Sequence, residues 1–391
     1  MLKTSLNVAV LAALSALATV PTLAHATLVT TTATTSFDVS NAVTDTLGGK
    51  STVSDGKTSG TANTSMGTAQ VAKFDSSAGV LTGATVNLTS TYRQTTNVAV
   101  AAGGTGANTD GTFTANGTGS SSVKLGIPVG VTGAGASLTD VKDSCTVTDG
   151  KIKADCDNGS SFTQVNDNTT VGSTALNSYV GSGSFLADLI AASNSAETTQ
   201  NDFASVASTT STINWKGGLS ATYSYLLHAA QSFDGNASMT ALTLDFGDVY
   251  LNDVVGDKSF SIANLFDANR VGLKLTDIVE TGDANNVFST SLSLFGNLAT
   301  GNTNNYSASF VANTLGNNSA TYQLTLADAA PDVVYASSSL GQGYNLTLNL
   351  KANVLQRPAA PAGSDIPEPA SLMLLGLGAL GLCVQRKRRQ G

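Results

Sequence analysis

The sequence predicts an all-β protein: one or two β-sandwich domains of immunoglobulin or jelly-roll type, with an N-terminal signal peptide and a single C-terminal transmembrane helix. Three observations carry this prediction. Polarity comes from Thr, Ser, Asn and 39 Gly, while charged residues are only 12% of the chain. Thr and Val favour pleated, half-buried strands, and Gly, Asn, Asp and Ser favour turns. Apolar residues recur with a period of two in short runs, and turn-forming clusters separate the runs.

Residues 1–26 have the three parts of a secretory signal: Lys3, an apolar stretch from Leu6 to Val20, and the small-x-small pattern Ala24-His25-Ala26. Cleavage is expected between Ala26 and Thr27. Removing Lys3 and the four cations near the C-terminus leaves 14 basic residues, and removing Glu368 leaves 26 acidic ones, a net charge of −12 for the exported part. Such a surface is repelled by nucleic acid, where binding depends on cationic contacts, so no nucleic-acid partner is expected.

The first β region is read over 27–232. Its opening thirty residues hold few bulky apolar side chains, which predicts a partly mobile segment. Strands follow at Val71 to Phe74, at Ala84, Val86 and Leu88 alternating with polar neighbours, and at 98–101, 113–115, 123–127 and 223–227. Asp75 to Gly79 reads as a turn. The one helix predicted is Phe185 to Ala192, where Phe185, Leu186, Leu189 and Ile190 share a helical face. The second region, 233–356, has strands at 242–246, 260–262, 273–278, 291–295, 306–311, 322–326 and 344–350. No helices alternate with them, so a sandwich is predicted rather than a parallel sheet.

Residues 357–365 are a semi-rigid Pro/Ala spacer. The tail 366–391 then has three parts. Pro367, Glu368 and Pro369 can continue neither helix nor strand, because proline lacks an N–H and fixes φ; they form a stiff, exposed strip. Ala370 to Val384 is apolar, and as a helix its fifteen residues reach about 22 Å, short of the ~30 Å hydrocarbon core. Arg386, Lys387, Arg388 and Arg389 form the basic stop-transfer cluster, which stays cytoplasmic by the positive-inside rule.

This tail resembles the PEP-CTERM sorting signal of Gram-negative bacteria that make extracellular polysaccharide. The resemblance implies that an exosortase-type membrane protease is a partner, cutting at the strip so that an inner-membrane intermediate passes to the outer surface or matrix. It also implies an association with exopolysaccharide and biofilm. Phe74-Asp75 with Gly79 to Gly83, and Leu244-Asp245-Phe246-Gly247, are similar to the choice-of-anchor β-sandwich domains that often precede such tails.

Few residues promise chemistry. Cys145 and Cys156 flank Asp149-Gly150, a hairpin-turn dipeptide, and in an oxidising compartment they are expected to pair across that hairpin; the alternatives are two thiols or a thiolate metal site. His228 is the only imidazole after the signal peptide, and no G-x-S-x-G elbow accompanies it, so no enzyme is expected. Paired carboxylates of a glycosidase would come from Asp245, Asp248, Asp253, Asp257, Asp277, Glu280 and Asp283, though Asp in turns serves local hydrogen bonds. No catalytic or metal residue is assigned and no cofactor is expected. The one opening is calcium, as in a calcium-stabilised adhesin. Asp155-x-Asp157-x-Gly159 resembles the start of an EF-hand loop, but Asn166 stands where the bidentate Glu belongs. Trp215, Tyr223 and Tyr225 either form an aromatic sugar-binding platform or belong to the core.

Overall fold

The computed structural model describes residues 28–49, 58–102, 113–127, 129–131, 133–147, 153–159, 163–200 and 205–358. The expected signal peptide, with the expected Ala26–Thr27 cleavage site, and the whole tail from Pro367 to Gly391 lie outside these residues. Among the described residues the chain is all-β, with only two short 3-10 turns, and no helix among them is long and apolar enough to cross a membrane.

The first half supplies β1 (Val29–Gly49), β2 (Thr58–Ala72), β3 (Val80–Ala102), β4 (Phe113–Gly126), β5 (Gly135–Val147), β6 (Lys153–Gly159), β7 (Thr163–Thr170), β8 (Ser184–Gln200) and β9 (Ser205–Leu226). One antiparallel sheet runs β1-β9-β3, with β7 and then β6 pairing along successive parts of the far edge of β3. The other runs β2-β8-β4-β5. Alternate residues of both sheets meet in one core: Val86, Leu88, Ile213, Trp215 and Leu219 from the first, Val71, Val123, Leu125, Ala187 and Leu189 from the second.

Two expectations are corrected here. Through Gly49 the opening segment is the 21-residue strand β1, paired with β9 from Val29 to Gly49, while its continuation at 50–57 lies outside the described residues. With few large side chains to bury, it rests on its backbone ladder and on the strand preference of Thr and Val. Phe185 to Ala192 is not helical but part of β8, flanked by β2 and β4. Phe185, Ala187, Leu189 and Ala191 face inward, whereas Leu186 is exposed. The short apolar run satisfies both periods, and ladder bonds on both edges select the strand.

The core changes character along the long strands. Beyond Leu88 the inward positions of β3 become Ser90, Tyr92, Gln94 and Thr96, all buried. The Tyr92 hydroxyl bonds the Ser121 hydroxyl, Ser121 Oγ donates to Gln94 Oε1 at 2.5 Å, and Gln94 Nε2 donates to Ser211 Oγ at 3.3 Å. Gly119 lies against this chain of bonds: a Cβ there would come within 2.1 Å of Ser211 Oγ and 2.3 Å of Gln94 Nε2. The sandwich interior is thus partly an apolar core and partly a sealed polar layer.

The second half supplies β10 (Gln231–Ser232), β11 (Ala241–Tyr250), β12 (Lys258–Asn264), β13 (Leu273–Thr281), β14 (Phe288–Thr290), β15 (Phe295–Leu298), β16 (Thr303–Phe310), β17 (Gly316–Asp328) and β18 (Gln342–Leu355). Sheets β10-β12-β16-β14 and β11-β18-β17-β13-β15 enclose a second core built on Phe260, Ile262, Leu273, Leu324, Leu346 and Leu348. β11 pairs with β18 in parallel, so this half is not purely antiparallel. Between Ser291 and Phe295 the expected strand is irregular, and pairing begins only at Phe295.

The two cores meet at the start of β3, beside the end of β9, whose Leu226 also packs into the second core. Val80 packs into the second core and its neighbour Leu81 into the first, while Ala336, from the second half, reaches into the first. Two hydrogen bonds close this seam: Ala336 N–H donates to Leu81 O at 2.8 Å, and Leu81 N–H donates to the Ser339 side-chain Oγ at 2.9 Å.

Candidate functional site

The solvent face of the β1-β9-β3-β7 sheet is a regular array of hydroxyl and amide side chains. Period two puts every second residue of each strand outward, and the registers align them in rows. One row is Thr32, Thr222, Thr85, Thr170; the next is Thr34, Ser220, Asn87, Asn168. Below them, Gly218 leaves a gap between Ser36 and Thr89. A groove of about 560 Å³ opens there, with Asn166, Gln164, Asp38 and Lys216 along its walls. Rows are spaced about 6.8 Å along the strands and about 4.8 Å across them. Thr32 and Thr222 bond through their hydroxyls at 3.1 Å, and Thr44 and Thr210 at 2.9 Å, so the array is partly ordered by itself.

The second arrangement is the seam between the halves. His228 Nδ1 lies 2.7 Å from Asp328 Oδ2, and Nε2 lies 2.7 Å from the carbonyl oxygen of Ser76 in the Asp75 to Gly79 turn. Asp328 has a fully buried side chain and also accepts from Ala229 N–H at 2.9 Å, Gly341 N–H at 2.6 Å and the Tyr344 hydroxyl at 3.0 Å. The bond to Asp328 raises the imidazole pKa above its ordinary 6.5, against a smaller opposing effect of burial. Both ring nitrogens face acceptors, so the ring makes both bonds only as a doubly protonated cation. In this arrangement neither nitrogen is open to take a proton from a nucleophile.

The other residues singled out from the sequence fall as follows. Trp215 and Tyr223 are not a sugar platform. Trp215 is fully buried, with Nε1–H donating to Ser90 Oγ at 3.0 Å, and Tyr223 is buried, with its hydroxyl donating to Ala72 O at 2.7 Å. Tyr225 is half-buried against Phe74, ring centroids 5.1 Å apart. The acidic residues of the second half are dispersed: Asp245 pairs with Lys351 at 3.0 Å, Asp253 with Arg357, Asp248 accepts from Asn353, and Glu280 accepts from Tyr322. Asp283 caps the N–H groups of Val287 and Phe288. No group of three His, Cys, Asp or Glu residues able to hold a metal occurs among the described residues.

Cys145 and Cys156 do not face each other across a hairpin. Their backbones lie on β5, opposite Ala115, and on β6, opposite Val98, and these strands belong to different sheets. Their side chains lie outside the described residues, as do those of Asp155 and Asp157. The array and the seam were both missed from sequence. Alternating Thr and Ser was a visible signal for the array; the His228–Asp328 pair joins positions 100 residues apart and left none.

No curated protein sequence matches the chain. Among solved structures it is similar to the ASH/PapD-like domain of human CEP192, at 10% identity and a TM-score of 0.24, covering 33% of this chain and 87% of that one. It is similar to the Vibrio cholerae VesB protease at 16% identity and 0.22, covering 35% of this chain and 37% of the protease. WR4, a C. elegans MSP family member, matches at 11% identity and 0.19, over 27% of this chain and 91% of its own. The specific match lies beyond the described residues, at 365–389, where the Pro-Glu-Pro strip, apolar run and basic cluster follow one another in the expected order. There the chain carries a PEP-CTERM protein-sorting motif.

Proposed function

We propose that this is an exported cell-surface or matrix protein, sorted by an exosortase-type protease at Pro367-Glu368-Pro369, whose body is a non-enzymatic structural module that associates with extracellular polysaccharide. The sorting motif at 365–389 carries the proposal. The signal-like residues 1–26 supply export, the apolar run Ala370 to Val384 inserts as the membrane helix, and the basic cluster holds it in place. The hydroxyl and amide array supports the polysaccharide part. Such groups both donate and accept, as sugar hydroxyls do, and a net charge of −12 turns the body away from nucleic acid.

Intact-mass and C-terminal peptide analysis of the protein recovered from the native surface or medium tests the sorting step. The expected chain begins near Thr27 and ends at or near the strip. A mature chain that still ends at Gly391 would overturn it. A glycan array paired with a polysaccharide turnover screen tests the body: binding without turnover agrees with the proposal or with a lectin-like module, and turnover would replace it with a glycoside hydrolase. The proposal takes Cys145 and Cys156 to be paired, which would tie the edges of the two sheets together. Alkylation of the unreduced mature chain should leave both unmodified. No cofactor is assigned; a melting temperature that falls on chelation would instead make the body a calcium-stabilised adhesin.

A further inference from the structure

Large exposed apolar side chains gather where the folded chain ends. β11 and β18 run in parallel and finish together at Tyr250 and Leu355. The loop after β11 joins this end through Leu251 N–H to Leu355 O at 2.9 Å and Asn252 N–H to Ala312 O at 2.7 Å, and β17 starts there with Gly316 opposite Val354. Around this tip Val254 is fully exposed, Val311 is 58% exposed, Leu315 51%, Tyr250 39% and Leu355 38%. Single exposed apolar residues are ordinary on a protein surface; five on neighbouring loops and strand ends mark a contact surface. The exit of the chain is fixed to the same tip, because Arg357 pairs with Asp253 and lies over the Tyr250 ring, 5.5 Å from its centroid.

We propose that this tip rests on the outer face of the membrane that holds the chain's own tail. The inference depends on the reading of Ala370 to Val384 as membrane-inserted and says what the folded body then does. Eleven residues, 359–369, separate the described chain from the apolar run, and fully extended they reach at most about 40 Å. The tethered body thus has its apolar end next to the bilayer, at the high local concentration a short linker imposes. Tyrosine beside exposed aliphatic residues suits the interfacial layer. The charge balance favours uncharged lipid: Arg357 is engaged by Asp253, Asp248 accepts from Asn353 beside the strand ends, and Asp257 is exposed on the same loop as Val254, which disfavours an anionic surface. Contact holds the body upright and close during sorting, and cleavage ahead of the apolar run releases it.

The full-length chain, reconstituted in phosphatidylcholine nanodiscs, tests this with two readouts. Resistance to alkaline extraction reports tail insertion. A photoreactive benzoylphenylalanine replacing Leu315, compared with one replacing Thr34 on the exposed face of β1, reports lipid contact. Lipid adducts at 315 well above those at 34 are expected, falling about tenfold in a Val254→Asp background, the order lost with one valine's apolar burial. Val254 is fully exposed, so its thermal melt should be unchanged. Alkali-resistant chain with no excess adducts at 315 would overturn the tip contact and leave the inserted tail standing. Chain extracted by alkali would overturn both.

Discussion

His228 and Asp328 stand 100 residues apart in sequence and 2.7 Å apart in space, and their pair fastens one half of the molecule to the other. The imidazole reaches Ser76 in the turn ahead of β3, the carboxylate gathers Ala229, Gly341 and Tyr344, and the backbone of His228 accepts from Arg270 Nη1 at 2.5 Å.

The seam should weaken as pH rises. The bond to Asp328 raises the folded-state pKa of His228 above 6.5, so the folded chain holds the proton more tightly than the unfolded one. Its contribution is whole below pH 6.5 and is lost as pH climbs through the raised value. Because the ring is partly exposed, the expected loss is modest, about 1 kcal/mol. Urea unfolding at pH 5.5 and pH 8.5 should show it, and His228→Gln should remove most of the difference. An unchanged difference in the variant would place the sensitive group elsewhere.

Asp328→Ala should be far more damaging than any change at the exposed Asp245. It deprives His228, two backbone N–H groups and the Tyr344 hydroxyl of their acceptor inside a buried site. Breaking a buried pair from one side costs about 3–5 kcal/mol. Asp245 is exposed and its pair with Lys351 is worth about 0–1 kcal/mol. Parallel denaturation of Asp328→Ala and Asp245→Ala measures the contrast, and equal losses would contradict this account of the seam.

The all-β class was legible in the sequence because alternation is a local signal: Ala84, Val86 and Leu88 predicted their own burial, and each is buried. Where local signals conflict, only partners decide. Phe185 to Ala192 fits a helical face until β2 and β4 claim both its edges. Asp149-Gly150 suggests a hairpin, yet β5 and β6 join opposite sheets. The aromatic residues mislead for a related reason. Trp215 and Tyr223 alternate on β9 whichever face they take, and their polar tips find buried partners in Ser90 and in the carbonyl of Ala72. The sorting tail needs no partner to be recognised, since its order is written in one continuous stretch.

Trp215→Ala should destabilise the first half by about 3–5 kcal/mol, the usual range for emptying a buried Trp site. The side chain is fully buried, meets Phe37 edge-on at 5.2 Å between ring centroids, and donates to Ser90 Oγ. Trp215→Phe keeps most of the apolar contact and should cost less. Because Trp215 is the only tryptophan in the chain, its own fluorescence follows wild-type unfolding, with circular dichroism following both variants. A near-neutral Trp215→Ala would mean that this stretch of the sandwich is loosely packed.

Gly119→Ala tests the polar layer without removing a polar group. The added methyl would be driven against Ser211 Oγ, Gln94 Nε2 and, at 2.8 Å, Thr96 Oγ1. These atoms lie in a bonded interior network, so they cannot swing into water to make room; β4 must instead move away from the facing sheet. Overpacking of this kind costs about 1–3 kcal/mol. Gly172→Ala is the control, because a Cβ there meets nothing within 4 Å. If Gly119→Ala alone lowers the melting temperature, and Ser211→Ala in the same chain recovers part of the loss, the network is as tightly closed as the distances indicate. Recovery requires that the collision be with the Ser211 hydroxyl; a loss that Ser211→Ala leaves untouched would assign the strain to the β4 backbone instead.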